Sequence, residues 1–194
     1  EKELDLDLWN DTDESKLDEV PEVQEKAISK LGDLFEIDGR HRVMCGDSTK
    51  AEEVERLMDG NTANISFQSP PYNAGDNSLG GNKKMVKSKY RNDNDNKSQD
   101  DYLSFITLFT MISLKFAQLS FVNIQSLAGI KKAVIEYLYE FREYFLDKSI
   151  WFKGGGQPAM AESVMNSRFE DIYIFDCNKN PKRVIRTNKF RNIS

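Results

Sequence analysis

The sequence predicts an α/β fold, a doubly wound, mostly parallel sheet that ends in an antiparallel hairpin. Three observations carry this expectation. β-rich or alternating runs at 64–68, 119–125 and 169–177 are separated by two longer stretches whose apolar residues recur at helical spacing. Strand, helix, strand, helix, strand is the order of parallel strands joined by right-handed crossovers. The 194 residues, 39% hydrophobic and 30% charged, suffice for one core and a small appendage.

Composition narrows the classes of function. No apolar run approaches the ~20 residues of a membrane span, and Glu1-Lys2-Glu3-Leu4 does not open a signal peptide. Two cysteines, Cys45 and Cys177, and one histidine, His41, are too few for a zinc site or a disulfide framework. The net charge of −5 is unevenly spread: Glu1 to Glu25 hold eleven acids against two lysines, leaving 21 acids and 25 bases elsewhere. A mildly basic globular part suits a phosphate backbone as partner.

Taken in order, residues 1–30 read as an acidic linker with a short helix from Val23 to Leu31 after Pro21, and the absence of Met at position 1 points to a fragment of a longer product. Leu34 to Asp47 reads as two short extended pieces around an Asp38-Gly39 turn, and Ala51 to Met58 as a helix. Asp47 lies between strand and helix. It can cap the helix together with Ser48 or Thr49, or take part in binding, because nucleotide-like ligands sit at the carboxyl ends of strands in open α/β sheets. His41 beside Arg42 reads as structural.

The run from Asn64 to Asn73 organises the rest. Ile65 and Phe67 alternate with polar neighbours as a strand does, and Pro70-Pro71 must end it, because proline has no N–H to give a ladder. The Ser69 hydroxyl and the Pro70 carbonyl are then acceptors held beside the ring of Tyr72. Such a tip can take the N–H groups of an amine while a flat ring stacks alongside. A conjugated exocyclic amine gains from that help, because acceptors on its N–H groups favour a transition state in which nitrogen becomes tetrahedral and positive. Inside a duplex that nitrogen is out of reach, so the base has to be flipped out.

Downstream, 74–100 is rich in Gly, Asn, Ser and Lys and reads as a mobile flap over DNA, with Lys83, Lys84, Lys87, Lys89 and Arg91 on phosphates. Ser98-Gln99-Asp100-Asp101 is a capping box opening a helix with Tyr102, Phe105, Ile106, Phe109, Ile112 and Phe116 on its core face. A strand follows from Leu119 to Gln125. Gly129 then precedes a second helix with Ile130, Val134, Leu138, Phe141 and Phe145 on one face. Trp151 reads as buried strand packing, with a place beside a flipped base as the alternative. Gly154-Gly155-Gly156-Gln157-Pro158 lacks the spacing of a phosphate-cradling loop and reads as a flexible linker near the base pocket. Phe169 to Cys177 alternates as the last strand, and 179–194 is a basic tail with Lys182, Arg183 and Arg186 as DNA contacts.

Ser69-Pro70-Pro71-Tyr72 resembles the Asp/Asn/Ser-Pro-Pro-Tyr/Phe signature of the S-adenosylmethionine-dependent DNA amino-methyltransferases, which modify adenine N6 or cytosine N4. The run from Gly32 to Ser48 is similar to the segment preceding that signature in the β-group of the family, which includes phage-type enzymes with an upstream ParB-like domain. Lys148 to Lys153 and Arg168 to Phe175 resemble the next family segments, so the likeness covers about 31–178. It implies a Rossmann-like methyltransferase sheet, here incomplete, in a cytoplasmic protein of bacterial or phage origin that acts on double-stranded DNA.

The same resemblance implies that Ser69, Pro70, Pro71 and Tyr72 form the catalytic tip, and that the cofactor S-adenosylmethionine lies against Asp47, Ser69 and Asn73. In this permuted group the F-x-G-x-G loop that holds the methionine end of the cofactor is expected later than the target-recognition region that would begin at the basic tail. A missing C-terminal half or a partner chain is the expected source. Serine in the first position leans toward cytosine-N4 enzymes, whereas Asn73 and the flank lean toward adenine enzymes. Two other readings stand beside this one: a non-catalytic DNA-binding methyltransferase remnant, and an RNA or protein-glutamine methyltransferase.

Overall fold

The computed structural model describes residues 28–73, 97–126, 128–153 and 169–182. Residues 1–27 of the acidic linker, the lysines and Arg91 of the flap, the Gly154–Pro158 linker, and Arg183 and Arg186 lie outside the described residues.

The described residues form a mixed α/β structure with a small hairpin, a four-stranded mixed sheet and three α-helices. Strands β1 (Leu34–Ile37) and β2 (His41–Met44) pair antiparallel. Asp38 and Gly39 between them take positive φ angles of 54° and 60°, the left-handed pair that a tight hairpin turn requires. Helix α1 (Ala51–Met58) follows and ends on Asp59, itself left-handed at φ 51°. Arg56 ties α1 to the hairpin by donating from Nη1 to the Gly32 carbonyl at 2.7 Å. None of the α1 side chains is fully buried, so this unit is held by polar contacts more than by a core. Residues 28–31, the described end of the helix expected from Val23, form a bend and a turn instead.

Strand β3 (Ala63–Gln68) runs parallel to β4 (Ala117–Ile124), with Ile65 opposite Leu119 and Phe67 opposite Phe121. Between them runs α2 (Gln99–Phe116). The Ser98 hydroxyl starts it by accepting from the Asp101 N–H at 3.1 Å and donating to the Asp101 carboxylate at 2.7 Å. A 3-10 turn (Ala128–Ile130) leads into α3 (Lys131–Glu140), and β5 (Phe145–Phe152) and β6 (Phe169–Asp176) complete the sheet.

The sheet order is β3-β4-β6-β5. Strands β3, β4 and β5 run one way and β6 runs against them, pairing antiparallel with both β4 and β5. The expected mostly parallel sheet with a C-terminal antiparallel hairpin therefore holds in strand direction and is corrected in its pairings, of which only β3–β4 is parallel. The physical reason is placement: β6 inserts between β4 and β5 instead of adding beyond β5. Phe145 is a second correction. It opens β5 and is no part of α3, because the Tyr144 carbonyl accepts the Asp176 N–H at 2.9 Å and draws the chain into the sheet.

Side chains opposite one another in the register share a face. Ser120, Val122 and Ile124 of β4 and Tyr173 and Phe175 of β6 therefore point to one side. There they pack against Tyr102, Ile106 and Phe109 of α2 and Ala133, Val134 and Tyr137 of α3 to make the core. Among its polar groups, Thr110 pairs with Tyr137 at 2.9 Å and Ser113 with Ser120 at 2.9 Å. The opposite face carries Ile65, Phe67, Phe121, Asn123, Glu170 and Trp151. Ile65 and Phe67 are 57% and 63% exposed there.

Candidate functional site

The carboxyl end of β3 turns over the end of β4. Pro70 and Pro71 offer no N–H, so the ladder to β4 stops at Gln68 and the chain lifts away. Ser69 and Pro71 are exposed, Pro70 is half-buried, and Tyr72 comes back down onto the open face of the sheet. Its hydroxyl lies 2.7 Å from Asn123 Oδ1 on β4 and 2.7 Å from Glu170 Oε2 on β6. Ser69 Oγ stands 3.4 Å from the same hydroxyl.

Glu170 is the centre of this cluster. Its side chain is 2% exposed, yet it is charged and balanced: Lys153, at the end of β5, pairs with Oε1 while Tyr72 donates to Oε2. Burial works to raise the carboxyl's pKa, but the hydrogen bonds from Lys153 and Tyr72 and the lysine charge outweigh it, so Glu170 stays below the usual carboxylate range. Burial pushes the Tyr72 phenol up to about 12, with the Glu170 carboxylate adding to the effect and Ser69 opposing it. The phenol is therefore a proton donor at every ordinary pH. Asn123, 1% exposed, completes the cluster: its amide donates to the Asp171 carbonyl at 3.3 Å and reaches the Glu170 carboxylate.

Trp151 stands opposite Glu170 in the β5–β6 register, with the Lys153 ammonium 5.6 Å from its ring. It is 51% exposed, which corrects the expectation of buried packing. Strand β5 is an edge strand, and its outer residues lack a layer above them among the described residues. An aromatic face thus lies open beside the Tyr72 cluster.

The other expected site residues are engaged differently. Asn73, at φ 54°, accepts the Lys97 N–H on Oδ1 at 2.5 Å and donates from Nδ2 to the Lys97 carbonyl at 2.7 Å. Both ends of its amide are thereby committed to joining position 73 to position 97. Asp47 Oδ1 accepts from the Thr49 N–H at 2.9 Å and from its hydroxyl at 2.6 Å, bonds that hold its carboxyl below the usual range. The Asp47 N–H donates to Glu53 Oε2 at 2.5 Å. The N-cap of α1 is Lys50, without a side-chain cap, so Asp47 shapes the turn before the helix and is not its cap. Among the described residues no hydrogen bond joins this turn to the Tyr72 tip. Lys182 is exposed near the end of the described chain.

Asn123, Glu170 and Lys153 are the members that the sequence reading did not single out. A signal was present. Asn123 interrupts a run that is otherwise apolar, and a polar group in the middle of a buried strand has to find a partner, whereas Glu170, beside Asp171 at the start of β6, carries no such mark. No group of His, Cys, Asp or Glu among the described residues is arranged to hold a metal ion.

The tip thus brings the Ser69 hydroxyl to the Tyr72 phenol, with Pro70 between them in sequence. For a sulfonium methyl donor the donor set does not fit. Of Asp47, Ser69 and Asn73, Asn73 has both ends of its amide engaged by Lys97 and Asp47 has one carboxylate oxygen engaged by Thr49, and the three side chains are not joined to one another by any hydrogen bond among the described residues. No protein-family model matches the chain, and no curated protein matches it.

Proposed function

We propose that the chain carries the target-base site of an S-adenosylmethionine-dependent DNA amino-methyltransferase, acting on the exocyclic amine of a flipped adenine or cytosine in double-stranded DNA. The observation that carries the reading is the Ser69-Pro70-Pro71-Tyr72 tip at a strand's carboxyl end, its phenol anchored to Asn123 and Glu170 and Trp151 open alongside. Ser69 Oγ and the Pro70 carbonyl take the two N–H groups of the amine, so its lone pair is freed from the ring as nitrogen becomes tetrahedral. Tyr72 and Trp151 supply ring faces for the extruded base. S-adenosylmethionine, when bound, supplies an electrophilic methyl group. Asn73 is held by Lys97 and one oxygen of Asp47 by Thr49, so neither contact is offered to the cofactor in this arrangement.

That engagement favours a second reading, a DNA-binding remnant without catalysis. Radiolabelled S-adenosylmethionine incubated with the chain and duplex DNA, followed by nucleoside analysis, separates the two. Label in N6-methyladenine or N4-methylcytosine supports the enzyme. Salt-dependent DNA binding with no label and no calorimetric binding of S-adenosylmethionine supports the remnant. Neither label nor DNA binding overturns both.

A further inference from the structure

A serine at the first position of the tip poses a problem that an aspartate does not. A carboxylate can only accept hydrogen bonds, whereas a hydroxyl both donates and accepts. An exposed Ser69 on its own would meet a ring carbonyl as readily as a ring amine. Something has to fix which way its proton points.

On the reading of the preceding subsection, we infer that Glu170 is a positioning residue that fixes this direction, so that the tip selects a nucleobase bearing an amino group over one bearing a carbonyl at the same ring position. The geometry runs in one line. Lys153 pairs with one carboxylate oxygen of Glu170, leaving the other, Oε2, to accept from Tyr72 at 2.7 Å. The phenol has a single proton, and its two close acceptors, Glu170 Oε2 and Asn123 Oδ1, both lie on the sheet side. The contact between Ser69 Oγ and the Tyr72 oxygen at 3.4 Å must then be made with the serine proton. It is longer than the ~2.7–2.8 Å of a well-formed O–H···O bond. With its proton turned inward, Ser69 presents only lone pairs outward, and these suit the N–H of an amine. A carbonyl there meets lone pair against lone pair.

Because Glu170 acts through Tyr72 and Ser69, a fold defect and a loss of ordering have to be told apart. Isotope-labelled chain is titrated with two pairs of free nucleosides, cytidine against uridine and adenosine against inosine, and affinities are read from NMR shifts. The wild type is expected to bind the amino member of at least one pair on the order of tenfold tighter, the scale of one correctly matched polar contact. Glu170→Gln, which can donate to Tyr72 and reverse the chain of bonds, is expected to bring the preference to within about twofold. Adding Ser69→Asp to Glu170→Gln restores it, because a carboxylate accepts whatever lies behind it.

A merely structural Glu170 predicts no such rescue. Should the Glu170 variants not fold, the wild type still decides through the Tyr72 phenol, assigned by difference from Tyr72→Phe and followed by its ultraviolet absorbance. Ionisation near 12 is expected, and ionisation near 10 overturns the ordered chain of bonds. Equal affinity within each nucleoside pair, or a preference unchanged by Glu170→Gln, overturns the inference and leaves the proposed function standing. Failure of all four nucleosides to bind overturns the proposed function itself, and the inference with it.

Discussion

Two carboxylates stand near strand ends in this chain, and their surroundings differ in reach. Asp47 is held by partners two and six residues away, in the turn before α1 and in the first turn of α1 itself. Glu170 accepts from a tyrosine 98 residues earlier in the chain, and that tyrosine also reaches Asn123, 51 residues on. The Asp47 turn is half-exposed and makes itself from local sequence, whereas the Glu170 cluster exists only once β3, β4, β5 and β6 have assembled. Local bonds shape a turn. Long-range bonds tie the tip to the sheet, so the position of Tyr72 depends on the whole fold.

Substitutions sharpen this contrast. Glu170→Ala is expected to cost about 2–3 kcal/mol in urea denaturation, under the 3–5 kcal/mol of a fully buried broken pair because Lys153 can turn to water. The variant's acid limb should also be flatter. Glu170 has a folded pKa below 4.5, so its contribution is present above that value and is lost as the pH falls through the folded pKa. Tyr72→Phe is expected to cost about 1–2 kcal/mol, since it leaves Asn123 and Glu170 short of a donor. Its signature lies at the alkaline end. With a folded pKa of about 12 against 10.0 unfolded, Tyr72 keeps its contribution below 10.0 and loses it as the pH rises toward 12, a decline absent from the variant.

The local turn should give smaller effects. Asp47→Ala is expected to cost about 0.5–1 kcal/mol, the scale of a lost side-chain bond at a helix start, with no change in the Tyr72 titration. Gly46→Ala is expected to cost a few tenths of a kcal/mol. A Cβ at Gly46 would meet the Glu53 carboxylate, which sits at the end of a flexible side chain and can move aside. Faster hydrogen exchange at the Asp47 amide would report the displaced contact. An Asp47 effect as large as that of Glu170 would break the distinction between the two regions.

What the sequence made legible follows the same division. The stop of β3 at two prolines, the Asp38-Gly39 turn, the bounds of α1 and the Ser98 start of α2 all follow from neighbours within a few residues. The insertion of β6 between β4 and β5 does not, because hydrophobic alternation fixes which face a strand buries and leaves open which neighbour it takes. Phe145 shows tertiary pairing overriding helical spacing, as the ladder to β6 outweighs one more turn of α3. Trp151 was misjudged because burial on an edge strand depends on a layer that the described residues lack. At the site, the tip residues were legible as a motif. The partners that hold Tyr72 were not, because pairing a lone Asn in β4 with a lone Glu in β6 requires the register first.

The claim on which the rest depends is that the strand end at Ser69–Tyr72 receives a nucleobase. Chemical-shift mapping of isotope-labelled chain with adenosine and cytidine tests it most directly. The indole N–H of Trp151, assigned through Trp151→Phe, and the amide signals of Ser69 and Tyr72 are expected to move together and to saturate. Signals at those three residues that stay still while the nucleosides reach tens of millimolar, or shifts confined to the helix-covered face, would contradict the claim.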